Sequence, residues 1–276
     1  MIPVFLLVFS LFLSLHLSDF MIMDNHSRRQ GILNLLSSRQ KLTVEELLAE
    51  IPASPATLRR DFKVLEKQGT LIRVHGGIVH PEAFRGESPY HYRLSQAQEA
   101  KAEMAELAVS IIPADSNIFI DAGTTFIELG HRLFSREDIT IYTNSLSLAF
   151  ALHTQNVRVI CIGGEVKIAS KALVGGIADQ WLGHLRFDIA FIGTSGLSES
   201  EGAYATSIDE AYVKQLAMKR AERKVLMADS SKWNQPEAVL FGQWSQFNDW
   251  VCDTGLGGNH AESVEKQGVN VIQKEL

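Results

Sequence analysis

The sequence predicts an α/β protein of two parts, an N-terminal winged helix-turn-helix and a C-terminal Rossmann-like domain on a largely parallel sheet. Three observations carry this. Residues 54–69 read as a capped, strongly basic helix, with two short helices before it and a glycine turn between two short apolar runs behind it. From Pro113 onward short apolar strands alternate with helical stretches, the pattern of a sheet covered on both faces. Charge is also divided by region: residues 24–80 hold nine Lys/Arg against six Asp/Glu, and 81–276 hold 17 against 25, within a net charge of −6. An acidic body with one basic module fits a protein that engages DNA through one end.

With 276 residues, 46% hydrophobic and 21% charged, the chain can build one small and one medium core. Cys161 and Cys252 both fall in apolar strand-like runs, where buried thiols are expected and no disulfide framework is implied. Residues 1–23 form a hydrophobic leader that suggests a membrane span or an export signal. The details favour a third reading, a true start at Met21 or Met23. No Lys or Arg precedes the apolar run 2–17, no small-x-small site follows it, and a bilayer core needs roughly 20 residues.

Residues 24–80 form the DNA-binding module. Ser27 is expected to cap a first helix with Ile32, Leu33, Leu35 and Leu36 on its apolar face, ending near Ser37-Ser38. Thr43-Val44-Glu45-Glu46 reads as a capping box opening a second helix with Val44, Leu47, Leu48 and Ile51 inward. In the third, Ser54 caps the free amides, Pro55 suits the first helical position and Gly69 permits a left-handed stop. Leu58, Phe62 and Leu65 make its buried stripe, while Arg59, Lys63 and Lys67 step by four along another line with Arg60 beside them. Its acids are Asp61 and Glu66, so an ordinary surface helix with mixed charge is the duller alternative.

A recognition helix so oriented would set Thr57, Arg59 and Arg60 nearest base edges and Lys63 and Lys67 nearer phosphate. Leu71-Ile72-Arg73-Val74 and Ile78-Val79 then flank His75-Gly76-Gly77 as a wing. Arg73 and His75 reach a phosphate or the minor groove, or simply stay solvated.

Residues 81–95, with Pro81, Gly86 and Pro89, read as a linker, and 96–276 as the second domain. Its first helix, 96–111, points Ala100, Met104, Leu107 and Ile111 inward. Strands are expected at 118–121, 139–143, 157–162, 187–193, 224–229 and 250–253, with a long loop at 195–209. Several end alike: Asp121-Ala122-Gly123-Thr124-Thr125, Thr143-Asn144-Ser145, Gly163-Gly164, Gly193-Thr194 and Asp229-Ser230-Ser231-Lys232. Doubly wound sheets bind ligands at such carboxyl ends.

Gly123, Thr124 and Thr125 offer hydroxyls and helix-start amides to a phosphate, or merely turn and cap the chain. Lys214, in Glu210-Ala211-Tyr212-Val213-Lys214, supplies a counter-charge or is an exposed lysine. Asp229 and Lys232 offer a polar pair to a ligand or to each other. A carboxylate such as Asp121 or Glu210 near Lys214 could also shuttle a proton in a sugar-phosphate isomerisation, so an isomerase-like enzyme carrying a DNA-binding module is the alternative function. The sequence has no GxSxG, no complete phosphate-loop lysine motif and no GxGxxG. Nine histidines without paired spacing, His131 and His153 reading as helix-surface residues, imply no metal site.

These motifs carry a family likeness. From about Ser27 onward the chain resembles the DeoR family of bacterial sugar-metabolism repressors, through the helix 54–62, the wing 73–77, Asp121–Thr125, Thr143–Ser145, the glycine pair at 163–164, the helix 210–214 and Asp229–Lys232. The resemblance implies a sensor domain similar to the ribose-5-phosphate isomerase and coenzyme A transferase folds, binding a phosphorylated sugar without turnover and needing no cofactor. The expected effector residues are Asp121, Gly123, Thr124, Thr125, Thr143, Asn144, Ser145, Gly163, Lys214, Asp229 and Lys232. The expected DNA-binding residues are Ser54, Thr57, Arg59, Arg60, Lys63, Lys67, Arg73 and His75. Gln215 after Lys214 and Trp233 after Lys232 depart from the family's usual basic residue and phenylalanine. The expectation is a cytoplasmic repressor, homo-oligomeric, with operator DNA and a phosphorylated sugar as partners and no stable membrane association.

Overall fold

Polar side chains at the helix starts fix the register of the N-terminal elements. The computed structural model describes residues 23–83 and 88–274, so the hydrophobic leader and Gly86 lie outside the described residues. Helix α1, Asn25–Arg39, is capped by Asp24 rather than Ser27. The Asp24 carboxylate accepts from the His26 and Ser27 amides at 2.8 and 3.0 Å and from the Ser27 hydroxyl, an anion at the positive end of the helix dipole. Strand β1, Lys41–Thr43, follows and was not anticipated. Helix α2, Val44–Glu50, opens with the expected box: the Glu46 amide donates to Thr43 Oγ1 at 3.1 Å and the Thr43 amide to Glu46 Oε2 at 2.7 Å.

Helix α3, Pro55–Lys67, has Ser54 accepting from the Thr57 amide at 3.1 Å and buries Leu58, Phe62 and Leu65. Gly69 stops it with φ +77°, and a Cβ there would lie 2.4 Å from the Tyr92 amide nitrogen, so no other residue fits. Strands β2, Ile72–Val74, and β3, Gly77–Val79, form the wing, and β3 also pairs with β1, giving the order β1-β3-β2. Gly77 lets the backbones meet, since a Cβ would stand 2.1 Å from the Leu42 oxygen. Ile32, Leu36, Leu47, Leu58, Phe62, Leu71 and Ile78 close one small core.

The described part of 81–95 holds a 3-10 turn, Pro81–Ala83, and helix α4, Tyr90–Ser95, and the boundary between two compact units falls after Tyr92. In the second unit helix α5, Gln98–Ser110, buries Lys101, Met104, Ala105 and Ala108. The inward stripe is therefore displaced from the one expected, with Ala100, Leu107 and Ile111 only half-buried. The strands and helices that follow are β4 (Asn117–Ile120), α6 (Thr125–Leu133), β5 (Thr140–Thr143), α7 (Leu146–Leu152) and β6 (Arg158–Cys161). Next come the hairpin β7 (Glu165–Lys167) and β8 (Ala172–Val174), then α8 (Gly176–Leu182) and β9 (Phe187–Gly193).

A second hairpin, β10 (Gly196–Ser198) and β11 (Gly202–Ala205), occupies the stretch expected to be a long loop. It pairs onward with β13 (Val239–Gln243) after α9 (Ile208–Arg220) and β12 (Ala221–Met227). The chain closes with β14 (Asp249–Val251), α10 (Gly258–Glu265) and β15 (Asn270–Ile272). Strand β12 starts earlier than expected because α9 runs into it without a loop, and β14 ends sooner.

The main sheet is parallel throughout, in the order β15-β14-β12-β9-β4-β5-β6. Helices α5, α6 and α7 cover one face through Met104, Phe126 and Leu148; α8, α9, α10 and the small antiparallel sheet cover the other through Leu182, Ala217, Val264 and Phe241. The chain builds outward from β4 through β5 to β6, then returns to place β9 on the other side of β4. The order thus reverses between β4 and β9, and ligands bind at such a point in open α/β sheets. Cys252 is buried as expected, but Cys161 is exposed, since β6 is the sheet's edge strand.

Candidate functional site

The basic face of α3 exists because both of its acids are drawn away. Asp61 turns into the core, where its two carboxylate oxygens accept from Arg28 Nε at 2.6 Å and Arg29 Nε at 2.7 Å. Burial opposes the charge on Asp61, but the hydrogen bonds and charges of the two arginines prevail and hold its carboxyl below the usual range. Glu66 accepts the Arg73 amide at 3.2 Å and lies 3.5 Å from its guanidinium, so the wing is fastened to the end of the helix.

What remains on the surface is Arg59, Arg60, Lys63 and Lys67, all exposed and, among the described residues, in no ion pair. The Thr57 and Ser54 hydroxyls stand 2.9 Å apart, each the other's partner at the helix start. Arg73 and His75 are exposed on the wing.

In the second unit the motif loops follow β4, β5, β6, β9 and β12, adjacent strands whose carboxyl ends form one edge. At the reversal point Lys214, buried on α9, is ion-paired with Asp121 and donates to the Gly193 oxygen at 3.0 Å. Asp121 also accepts from the Gly193 amide at 3.1 Å and the Ala122 amide at 2.8 Å. Burial pushes the Asp121 carboxyl up, against the pull of Lys214 and these amides. Lys214 is thus no exposed lysine. Its ammonium lies 5.4 Å from the Phe241 ring centroid, and an ammonium has three donors, of which two are used here.

The other loops meet this edge with less direct contact. Thr124 is buried and its hydroxyl donates to the Arg93 oxygen at 3.3 Å; Gly123 and Thr125 beside it are half-buried. Thr143 Oγ1 accepts from the Ser145 amide at 2.9 Å, and Ser145 caps α7. Asn144 is buried between them, and its Oδ1 has no hydrogen-bond partner among the described residues. Glu210 is bound by Ser170 Oγ, with Lys167 4.0 Å away. Asp229 accepts from the Ser231 amide at 3.2 Å rather than pairing with Lys232. Gly163 is exposed at the edge strand, and no hydrogen bond or ion pair among the described residues ties it or Lys232 to Lys214.

Lys101 is a residue that the sequence reading missed. It is buried on α5, donates to the same Arg93 oxygen as Thr124, and lies close enough to Asp229 and Lys232 to feel both charges. Burial lowers its amine to about 8, with Asp229 opposing and Lys232 and Arg93 assisting. One polar residue on a helical stripe carries no periodic signal, so only the packing reveals it. Two buried lysines therefore stand at the carboxyl edge of the sheet, together with several hydroxyls and an amide oxygen that has no partner among the described residues. A separate surface cleft of about 370 Å³ opens at the other end of the strands, but Asp115, Asp188 and Glu222 line it, which disfavours an anion.

Residues 28–84 match the DeoR-like helix-turn-helix domain, and residues 96–254 match the DeoR C terminal sensor domain. The chain belongs to the DeoR family. It is 33% identical to the HTH-type transcriptional regulator GlpR of Haloferax volcanii over 245 residues, covering 89% of this chain and 96% of that one. It is 30% identical to the lactose phosphotransferase system repressor of Staphylococcus epidermidis over 88% and 96% of the two chains. Identity to the glycerol-3-phosphate regulon repressor of Escherichia coli is 29%, over 84% and 92%. Among solved structures, ribose 5 phosphate isomerase A from Neisseria gonorrhoeae aligns over 48% of this chain and 52% of that one, with 16% identity and a TM-score of 0.36, too weak a likeness to carry a function. This DeoR-family chain is a DNA-binding transcriptional regulator rather than an enzyme. No helix among the described residues is long and apolar enough to cross a membrane.

Proposed function

We propose that the protein represses a carbohydrate-utilisation operon and leaves its operator when a phosphorylated sugar binds at the point where the sheet order reverses. The observation that carries the effector reading is the placement of buried Lys214 at that point, fixed by Asp121 and Gly193 and with one donor unspent among the described residues. An anion there draws on Lys214 and Lys101, two desolvated ammonium groups, and the hydroxyls of Thr124 and Thr143 lie on the same edge. Lowering operator affinity a hundredfold takes roughly 2.7 kcal/mol of preference for the released state, within the ordinary range of coupling energies. A panel of sugar phosphates tests the reading by thermal shift. At about 100 times its dissociation constant the right compound adds ~2.7 kcal/mol and raises the melting temperature by roughly 5–10 °C. Its unphosphorylated sugar does not; the absence of a shift with every sugar phosphate contradicts the reading.

On DNA, α3 enters the major groove with Arg59 and Arg60 at base edges and Lys63 and Lys67 at phosphates. Arg59→Ala or Arg60→Ala should cost about 1–3 kcal/mol and relax base preference, whereas Lys63→Ala should weaken all sequences alike and reduce the salt slope by ~1. Binding titrations at several salt concentrations on operator and scrambled DNA separate the two outcomes.

Lys101 gives the effector a pH dependence. Its folded value of about 8 means that it is cationic below that pH and neutral above it, so affinity for a phosphorylated sugar should fall as pH rises through 8 to 9. Lys101→Met should lower affinity at pH 7 and flatten that profile, as measured by calorimetric titration. Stability should move the other way: between about 8 and the unfolded value near 10.4 the unfolded chain binds the extra proton, so this group's contribution improves with pH.

A further inference from the structure

Helix α4 carries the chain from one unit into the other, since the boundary falls between Tyr92 and Arg93. Helices shorter than about 12–15 residues are marginal on their own, so this short one depends on what holds its ends. Its last carbonyls have no amide of the same helix to bond. The Arg93 oxygen is one of these, and both Lys101 Nζ and Thr124 Oγ1, the latter at 3.3 Å, donate to it. The Arg93 guanidinium reaches on to the Ala169 oxygen at 3.0 Å, in the turn of the β7–β8 hairpin. The end of α4 is thus held from α5, from the start of α6 and from the hairpin.

Two of these three holds are made by side chains of the carboxyl edge. Thr124 stands at the N-cap of α6 yet makes no cap bond to that helix, so its hydroxyl is committed to Arg93. A hydroxyl has one proton, which serves the Arg93 oxygen or a ligand oxygen but not both. A phosphate drawing on Lys101 and Thr124 therefore competes with the Arg93 oxygen for the same donors. The phosphate wins, because charge-assisted hydrogen bonds are roughly twice as strong as neutral ones.

The first turns of α4 bear on the recognition helix. Tyr90 is buried, and a Cβ on Gly69 would lie 2.4 Å from the Tyr92 amide nitrogen and 3.0 Å from the His91 carbonyl carbon. The left-handed stop of α3 is therefore seated directly on the α4 backbone. We propose that α4 couples the carboxyl edge to the recognition helix, with Lys101 and Thr124 as a detachable cap. An anion bound at the edge withdraws both donors, the last turn of α4 unwinds, and the seat under Gly69 goes with it. Lys101 and Thr124 are then positioning residues for DNA binding, acting through α4. The inference rests on the reading that a phosphorylated sugar binds at this edge, and adds the route by which it is felt.

The test is operator binding by fluorescence anisotropy, on the DNA upstream of the protein's own gene, together with hydrogen exchange. Both use the purified full-length chain with no sugar phosphate present, so that removing the cap by mutation imitates the anion. Lys101→Met with Thr124→Val should lower operator affinity about tenfold and speed exchange of the α4 amides by a similar factor, as loss of a cap with one charged donor implies. Amides of β4 and β9 should keep their protection. Thr124→Val alone should give a smaller change of the same sign, and Thr124→Ser, which keeps the hydroxyl, should bind operator like the native chain. Lys219→Met, at an exposed lysine of α9, should change neither reading. If the double variant loses protection throughout the second unit, Thr124→Val alone decides, because it exchanges one hydroxyl for a methyl. Native operator affinity and native α4 exchange in the deciding variant would overturn the proposal, as would a Thr124→Ser chain as weak as Thr124→Val. The two readings fail separately. A chain that no sugar phosphate stabilises removes the effector reading, whereas one that is stabilised, but whose cap variants bind operator normally, removes the coupling alone.

Discussion

Asp61→Ala should unfold most of the N-terminal unit. It strips the counter-charge from Arg28, whose side chain is only 7% exposed and keeps only the neutral oxygens of Met23 and Asn25, and breaking a buried pair from one side costs about 3–5 kcal/mol. A unit of this size holds roughly 3–9 kcal/mol in all, at the usual 0.05–0.15 kcal/mol per residue. Hydrogen exchange on the full chain checks this: amides of α1 and α3 should lose protection while those of β4 and β9 keep theirs. Replacing both sides together, Asp61→Leu with Arg28→Met, should restore much of the protection, because no buried charge is then left alone. The pH sign is equally definite. The folded carboxyl lies below its unfolded value, so its contribution is complete above about pH 4 and disappears as pH falls through the lower folded value. The native unit should therefore lose stability on acidification through that range, and Asp61→Leu/Arg28→Met should not show this component.

Lys214→Met should move the response to sugar phosphate to much higher concentration while leaving operator binding in place. A hydrogen bond from a charged donor contributes about 1.5–3 kcal/mol, so ligand affinity should fall roughly 10- to 100-fold. The single change also strands Asp121 in the core; Lys214→Met with Asp121→Asn removes the pair as a whole and separates loss of ligand from loss of fold. Calorimetric titration of both variants with the sugar phosphate that shifts the native protein gives the answer. Native affinity in the double variant would exclude the Lys214 site.

What was legible in the sequence follows from how local each interaction is. The α3 caps, the Thr43–Glu46 box and the Gly69 stop are written within a few residues, and all three stand in the structure. The carboxyl-end loops were legible because strands of four to seven residues leave a run of apolar side chains. Hairpins such as β7–β8 and β10–β11, with strands of three or four residues, are too short for a period. The two arginines of Asp61 come from a helix more than thirty residues earlier, and Lys101 meets Asp229 only once α5 packs on the sheet. Sequence spacing cannot report such partners. Exposure is equally hard to read: Lys214 could be a plain exposed lysine on its spacing, and only the packing of α9 turns it inward.

The central claim is that one ligand-edge event loosens one basic helix from DNA. The direct measurement is fluorescence anisotropy of the full-length protein on the DNA upstream of its own gene, titrated with the sugar phosphate that stabilises it, at fixed salt. The account predicts an operator affinity about a hundredfold lower with that compound and unchanged with its unphosphorylated sugar. An operator affinity that no sugar phosphate alters, or one no tighter than for scrambled DNA at the same salt, would contradict it.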